Sequence, residues 1–341
     1  MSLGVAEACR AVGKGFKSVG AFDLNPRALR VYADNFRIKP PIPTDLGDVL
    51  RADLRQRPSS LEKRFLNSIG KVDFLLAGPP CQGHSNLNNR TRRDDPKNAL
   101  YFLIARFAQL ARPRWIIAEN VIAVVHDRGR VVDRTLDALS QLGYRTISGI
   151  VDLWSLGIAQ TRRRHVLLAE RKEATHTRLA ARSLEDLLVP YLTRTRSIRW
   201  AIEDLLNVLP NTFMDHPKTP DPVTQSRIDY LFDNNLFDLP DIHRPECHRD
   251  KDHSYKSVYG RMKWEEPAPT ITSGYDTMGR GRFVHPKRRR TITAHEAARI
   301  QFIPDFVSFA ALADNRGALS EIIGNAVPPK LSYVLALEML R

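Results

Sequence analysis

Residues 72–82 read Val-Asp-Phe-Leu-Leu-Ala-Gly-Pro-Pro-Cys-Gln, an apolar run that ends abruptly in a glycine and two prolines. Residues 72–77 have the length and near-continuous hydrophobicity of a strand buried on both faces. Gly78-Pro79-Pro80 stops it, because proline offers no N–H to a ladder. The same strand-then-polar pattern recurs on either side. Upstream, residues 18–22 form a short apolar segment ending at Asp23. Asn25 then caps a helix that has Pro26 at its first position and runs to about Asn35. Residues 49–52 read as a further strand ending at Asp53. Downstream, residues 98–110 carry Tyr101, Ile104, Ala105 and Ala108 at helical spacing. Residues 115–118 read as a strand ending at Glu119, residues 131–142 as a helix and residues 165–169 as a strand. Such alternation predicts a doubly wound, Rossmann-like α/β sheet. In an open sheet of this kind, ligands sit at the carboxyl ends of the strands. Asp23, Asp53, Gly78–Cys81 and Glu119-Asn120 all fall there.

The middle of the chain changes character. From about Glu170 to Pro286 it is rich in Pro, Asp, His and Arg with weak periodicity, which predicts a smaller, loop-rich second domain. Pro329–Leu340 returns to strong helical character and is expected to pack back on the first domain. The expected boundaries are 1–170, 171–316 and 317–341.

Hydrophobic residues make up 43% of the 341-residue chain and charged residues 26%, the balance of an ordinary globular protein. No apolar run approaches the roughly 20 residues that span a bilayer. The N-terminus lacks the basic and apolar regions of a signal peptide. Cys9, Cys81 and Cys247 lie too far apart to suggest a disulfide framework, so a reduced, cytoplasmic protein is expected. Charge is more selective. Lys plus Arg number 52 against 38 acidic residues, a net +14, and arginines cluster at Arg90–Arg93, Arg162–Arg164, Arg194–Arg196 and Lys287–Arg290. That bias favours a polyanionic partner, because each neutralised phosphate releases a counterion. His243, Cys247, His248 and His253 lack zinc-ligand spacing, so no metal is expected. Gly13, Gly15 and Gly20 follow no strand and carry little weight as a nucleotide loop.

Cys81 directly follows Pro79-Pro80, which fix its backbone, and arginines at 90, 92, 93, 162 and 164 are candidate sources of charge to lower a thiol pKa. A lone cysteine is more often inert core. The order of motifs decides otherwise. Gly78-Pro-Pro-Cys-Gln82, Glu119-Asn-Val121, Gln160-Thr-Arg-Arg-Arg164, Thr293–Gln301 and Gly324-Asn-Ala-Val-Pro-Pro329 follow one another, with Pro267–Gly274 between the third and fourth. Together these blocks resemble the C5-cytosine DNA methyltransferases of bacterial type.

The resemblance implies transfer of a methyl group from S-adenosylmethionine to carbon 5 of a cytosine flipped out of double-stranded DNA. It implies that Cys81 is the nucleophile, that Glu119 holds the ring nitrogen and amine, that Arg164 contacts the base and that Arg162 orders the site. For the cofactor it implies Asp23, Leu24, Asp53, Pro79, Asn325 and Val327, with Asp48 a rival to Asp53. By the same resemblance, 1–170 is the catalytic and cofactor-binding domain, 171–316 recognises the target, and 317–341 returns a helix to the first domain. Residues 82–98 resemble the family's mobile loop over DNA. A role in restriction-modification, beside a cognate endonuclease, follows from the same likeness. The family's first motif is a strand and a Phe-x-Gly-x-Gly-Gly turn, and Met1-Ser-Leu-Gly4 looks like its tail. The natural protein is therefore expected to start upstream, although a separate polypeptide could also supply the piece. The rival readings are an impaired DNA-binding protein or subunit lacking that motif, and a tRNA cytosine-5 methyltransferase. The latter's Cys-Phe-Thr signature is absent.

Overall fold

Four strands form a mixed sheet in the order β1-β2-β4-β3: β1 (Phe74–Ala77), β2 (Trp115–Asn120), β3 (Tyr144–Asp152) and β4 (Arg163–Arg171). The computed structural model describes residues 1–51, 53–80, 100–172, 179, 183–249 and 258–341, with the backbone alone at Cys247. Strands β1 and β2 run parallel, whereas β4 is antiparallel to both β2 and β3. Every residue of β2 is buried, as a central strand covered on both faces requires.

One face of the sheet is covered by α5 (Leu103–Ala111) and α6 (Val131–Gln141). Ile104 and Ala108 from α5 and Val132 and Leu139 from α6 meet Ile116, Ala118, Leu167 and Ala169 of the strands in one apolar cluster. On β2, α12 (Pro329–Leu340) also packs, and α1 (Ser2–Ala11) lies against α12. That crossing is tight. A Cβ on Gly4 would collide with the Pro329 carbonyl oxygen and Ser332 Oγ. Near β1, α2 (Pro26–Phe36), α3 (Leu46–Val49) and α4 (Ser60–Ile69) complete the unit, and Leu50, Ile69, Val72, Leu103 and Phe107 form a second cluster. Inside it Arg106 and Glu62, both fully buried, pair through two 2.8 Å bonds. Helix α7 (Leu184–Leu188) touches β3 and α12.

The chain divides into two compact units. The first is Met1–Asp152 with Arg163–Leu192 and Pro329–Arg341, and the second is Leu153–Arg162 with Thr193–Pro328. The second holds α8 (Ile198–Ile202), α9 (Pro222–Asp233), α10 (Ala294–Ile300) and α11 (Arg316–Asn325), with no strand among its described residues beyond isolated bridges. Its core includes Ile228, Leu231, Leu239, Met278 and Val284.

Three expectations need correction. Residues 18–22 form no strand. Among the described residues no strand lies outside β1, so this segment has no ladder to join; Phe22 instead packs at 5.0 Å on Phe65. Residues 49–51 form no strand either, and residue 52 lies outside the described residues. Asp45 caps the short helix α3 by accepting from Gly47 N at 2.8 Å, and Leu50 is driven into the core. Finally, β3 was not expected, and its antiparallel pairing makes the sheet mixed rather than uniformly parallel.

Candidate active site

At the end of β2, Glu119 is 7% exposed. In the register, Glu119 lies opposite Val166 and Asn120 opposite His165. Alternation along a strand therefore places Glu119 and Arg164 on one face of the sheet, and Asn120 and His165 on the other. Arg164 Nε lies 2.7 Å from a Glu119 carboxylate oxygen. The oxygen is buried and lacks an aligned hydrogen bond, so the contact is an ion pair rather than a well-directed hydrogen bond. A second arm of the same guanidinium donates to the Arg163 carbonyl at 2.7 Å, and Arg163 is itself anchored on Asp152 at 2.7 Å. The Glu119 charge is felt through a dry surrounding. Burial pushes the Tyr101 hydroxyl far up, and Glu119 adds to that shift.

Asn120 joins two motif blocks. Its side-chain oxygen accepts from Val121 N at 2.8 Å, and its amide nitrogen donates to the Pro79 carbonyl at 3.4 Å. The turn after β1 is thereby tied to the end of β2. Sequence reading named Pro79 and Glu119 but gave Asn120 no role. Cys81, the residues 82–98 and the Arg90–Arg93 cluster lie outside the described residues.

His165 was also overlooked. It is 2% exposed, burial lowers its pKa to about 4, and its Nδ1 has no hydrogen-bond partner. The neutral ring adjoins a cleft of about 430 Å³ lined by Val124, Val132, Leu136, Ser148 and Ile150.

The expected cofactor residues in the first unit retain the acceptor and apolar groups such a ligand needs. Asp23 follows no strand, yet it stands exposed at the entry to α2, with one carboxylate oxygen accepting from Asn25 N at 2.8 Å. Lone pairs remain for a ribose diol. The adjacent Leu24 is 64% exposed, a bare apolar surface of the kind a purine covers. Asp53 accepts from Arg55 N at 3.0 Å, and this backbone bond is the main cause holding its carboxyl below the usual range. Asp48 lies exposed on α3. In the second unit, Asn325 ends α11 with its side chain exposed, and Val327 is half-buried. These side chains fit the hydrogen-bonding edges and apolar faces of S-adenosylmethionine.

Arg162 behaves unlike its neighbour two residues on. It is 3% exposed within the second unit, and its Nη1 donates to the carbonyls of Ile271 at 3.0 Å and Gly324 at 3.3 Å. The basic run at Lys287–Arg290 is likewise engaged. Arg289 pairs with Asp233 at 2.6 Å, Arg290 with Glu296 at 2.7 Å, and Arg288 donates to the Leu206 carbonyl. His243 packs in a tilted contact on Tyr230, and His248 meets Tyr259 edge-on. No metal-binding group of three or more such side chains occurs among the described residues.

The family model for C-5 cytosine-specific DNA methylases matches residues 2–341. The chain belongs to the C-5 cytosine-specific DNA methylase family. It is 44% identical to the Type II methyltransferase M1.BsuMI of Bacillus subtilis over 341 residues, covering all of this chain and 78% of that protein. It is 29% identical to the Type II methylase M.HgiDII of Herpetosiphon aurantiacus, covering 96% and 90%. Among solved structures, one assigned as a DNA modification methyltransferase from an E. coli prophage superposes with a TM-score of 0.66 at 19% identity, covering 99% of this chain and 94% of that one. The last likeness shows the α/β methyltransferase fold. The protein is thus a DNA (cytosine-5-)-methyltransferase, and S-adenosylmethionine is its methyl donor.

Proposed function

We propose that this methyltransferase acts through Cys81, Glu119 and Arg164, and that the observation carrying the reading is the 2.7 Å pairing of half-buried Arg164 with buried Glu119. The Cys81 thiolate bonds to carbon 6 of an extruded cytosine, and the ring electrons move to carbon 5. Glu119, in its protonated form when the base is bound, holds the ring nitrogen and exocyclic amine and gives that proton to the ring nitrogen as charge builds on the ring. Arg164, close enough to exchange Glu119 for the base, keeps that carboxyl oriented. S-adenosylmethionine would supply the electrophilic methyl and leave as S-adenosylhomocysteine, and Asp23, Leu24, Asp53, Pro79, Asn325 and Val327 are the residues that would hold it. Loss of the carbon 5 proton to water then restores the double bond and expels the Cys81 thiolate, and the ring-nitrogen proton returns to Glu119. Residues 171–316 are assigned to target recognition, residues 1–170 to catalysis and 317–341 to the returning helix. The Type II names of the relatives support a place in bacterial restriction-modification, with a cognate endonuclease as partner and the cytoplasm as site.

Duplex DNA carrying 5-fluorocytosine tests the mechanism, because fluorine cannot leave carbon 5 as a proton does. The wild-type enzyme with cofactor is expected to form a denaturation-stable adduct with such DNA. Cys81→Ser is expected to form none and to lose methyl transfer while still binding DNA. Methyl transfer at the wild-type rate by Cys81→Ser would overturn the assignment.

A further inference from the structure

Helix α11 ends in a sequence that can cap itself only in part. The last carbonyls of any helix lack intrahelical partners and are usually met by backbone N–H groups just beyond the end. Here the chain continues Ala326-Val327-Pro328-Pro329, and the two prolines have no N–H to give. Ala326 N reaches the Ile323 carbonyl at 3.2 Å. The remaining donors come from side chains remote in sequence. Gln301 Nε2 donates to Ile323 O at 2.8 Å, with Gly324 O at 3.3 Å and Ala326 O at 3.4 Å also in reach. Arg162 Nη1 adds the second bond to Gly324 O.

Those donors are held in turn. Gln301 Oε1 accepts from Gln160 Nε2 at 2.9 Å. Gln160 Oε1 accepts from Ile271 N at 3.0 Å, while Arg162 bonds the Ile271 carbonyl, so this residue is gripped at both backbone groups. Gln160 and Gln301 are fully buried. Gly324 itself presses on the Thr272–Ser273 backbone, where a Cβ would collide. All of these residues belong to the second unit.

We infer that Gln301, with Gln160 and Arg162, is a positioning residue for S-adenosylmethionine binding, setting the backbone from which Asn325 and Val327 reach the cofactor. The inference rests on the assignment of Asn325 and Val327 to the cofactor. It makes Arg162 a brace for the helix end rather than a group that touches the base. Removing the Gln301 donors leaves buried carbonyls unmet and lets the α11 end shift, and a shift of about 1 Å is costly for a binding contact.

Gln301→Met keeps the side-chain length and removes the donors. It is expected to weaken S-adenosylmethionine binding by calorimetry about tenfold. Faster amide exchange across residues 320–328 in the cofactor-free protein is expected with it, and DNA affinity within about twofold of wild type. Arg162→Met is expected to weaken cofactor binding similarly, and Arg162→Lys, which restores a cationic donor, to recover most of the loss. Unchanged cofactor affinity in Gln301→Met, while Asn325→Ala loses it, would overturn the inference and leave the Asn325 assignment intact. Unchanged affinity in Asn325→Ala would remove that assignment, and the inference with it. Equal losses of DNA and cofactor affinity would also overturn it, since they would mark a general collapse of the unit. Should Gln301→Met fail to fold, Gln160→Met, one bond further from the helix end, carries the same expectations.

Discussion

Glu62 and Arg106 show how a buried residue pair is committed to stability. Both are fully buried. The Glu62 carboxylate accepts two bonds from Arg106, one from Ser59 N at 2.8 Å and one from Arg51 N at 3.0 Å. Every lone pair that matters is used, and the pair joins α4 to α5. The Arg106 bond is the largest cause holding the Glu62 pKa at about 2, against an ordinary 4.5. Glu119, by contrast, keeps a buried oxygen without an aligned bond. A carboxylate with a lowered folded-state pKa contributes stability that is fully present above its unfolded value. That contribution is lost as pH falls from about 4.5 toward 2. Glu62→Gln leaves the Arg106 charge buried without a counter-ion, at an expected cost of about 3–5 kcal/mol near neutral pH. Urea midpoints of both proteins, measured from pH 7 down to 3, check this. The gap should be widest at pH 7 and narrow below 4.5, and a gap independent of pH would contradict the assignment.

At the scale of elements, the crossing of α1 and α12 is decided by a missing side chain. Gly4 lets the first turn of α1 approach the start of α12 so closely that Ser332 Oγ also bonds the Met1 carbonyl at 2.8 Å. The atoms that a new Cβ would strike are largely backbone and cannot rotate aside. Gly4→Ala is therefore expected to destabilise by at least about 1–3 kcal/mol through overpacking, despite the better helix propensity of alanine. A fall in thermal midpoint would register this, and a rise would show that the helices can part without loss. Such long-range crowding is invisible in sequence, where Gly4 reads as a poor helix residue. What could be read was local. Asn25 and Pro26 mark the start of α2, and Asn25 accepts from Arg27 N at 2.9 Å as a cap should. The apolar run into Glu119 gives β2. Residues 18–22 look as strand-like as β1, but pairing partners rather than composition decide a strand. Strand β3 hid because Arg145, Ser148 and Gly149 interrupt its hydrophobicity, as an edge position tolerates. At the candidate site, the acids and arginines stood out by type. The amides Asn120, Gln160 and Gln301 did not, because their roles depend on which backbone atoms they meet after folding.

Across the whole molecule, the excess of 52 basic over 38 acidic residues invites the view that every arginine cluster faces DNA. The ion pairs divide the clusters instead. Arg162 is enclosed, Arg163 is held by Asp152 and Arg164 by Glu119. In the Lys287–Arg290 run the three arginines bind Leu206, Asp229, Asp233 and Glu296 of their own unit. A guanidinium already paired gains little from a phosphate, because it must first give up its carboxylate. Counterion release makes the logarithm of DNA affinity fall linearly with the logarithm of salt, and each phosphate no longer neutralised flattens the slope by about 1. Arg289→Ala is therefore expected to leave that slope unchanged while lowering the urea midpoint slightly, since two half-exposed pairs contribute up to about 1 kcal/mol each. Titrating DNA binding between low and moderate salt for both proteins settles which role the run has. A slope flattened by about 1 would turn Arg289 outward to the phosphates, and the basic run would then belong to the DNA surface after all.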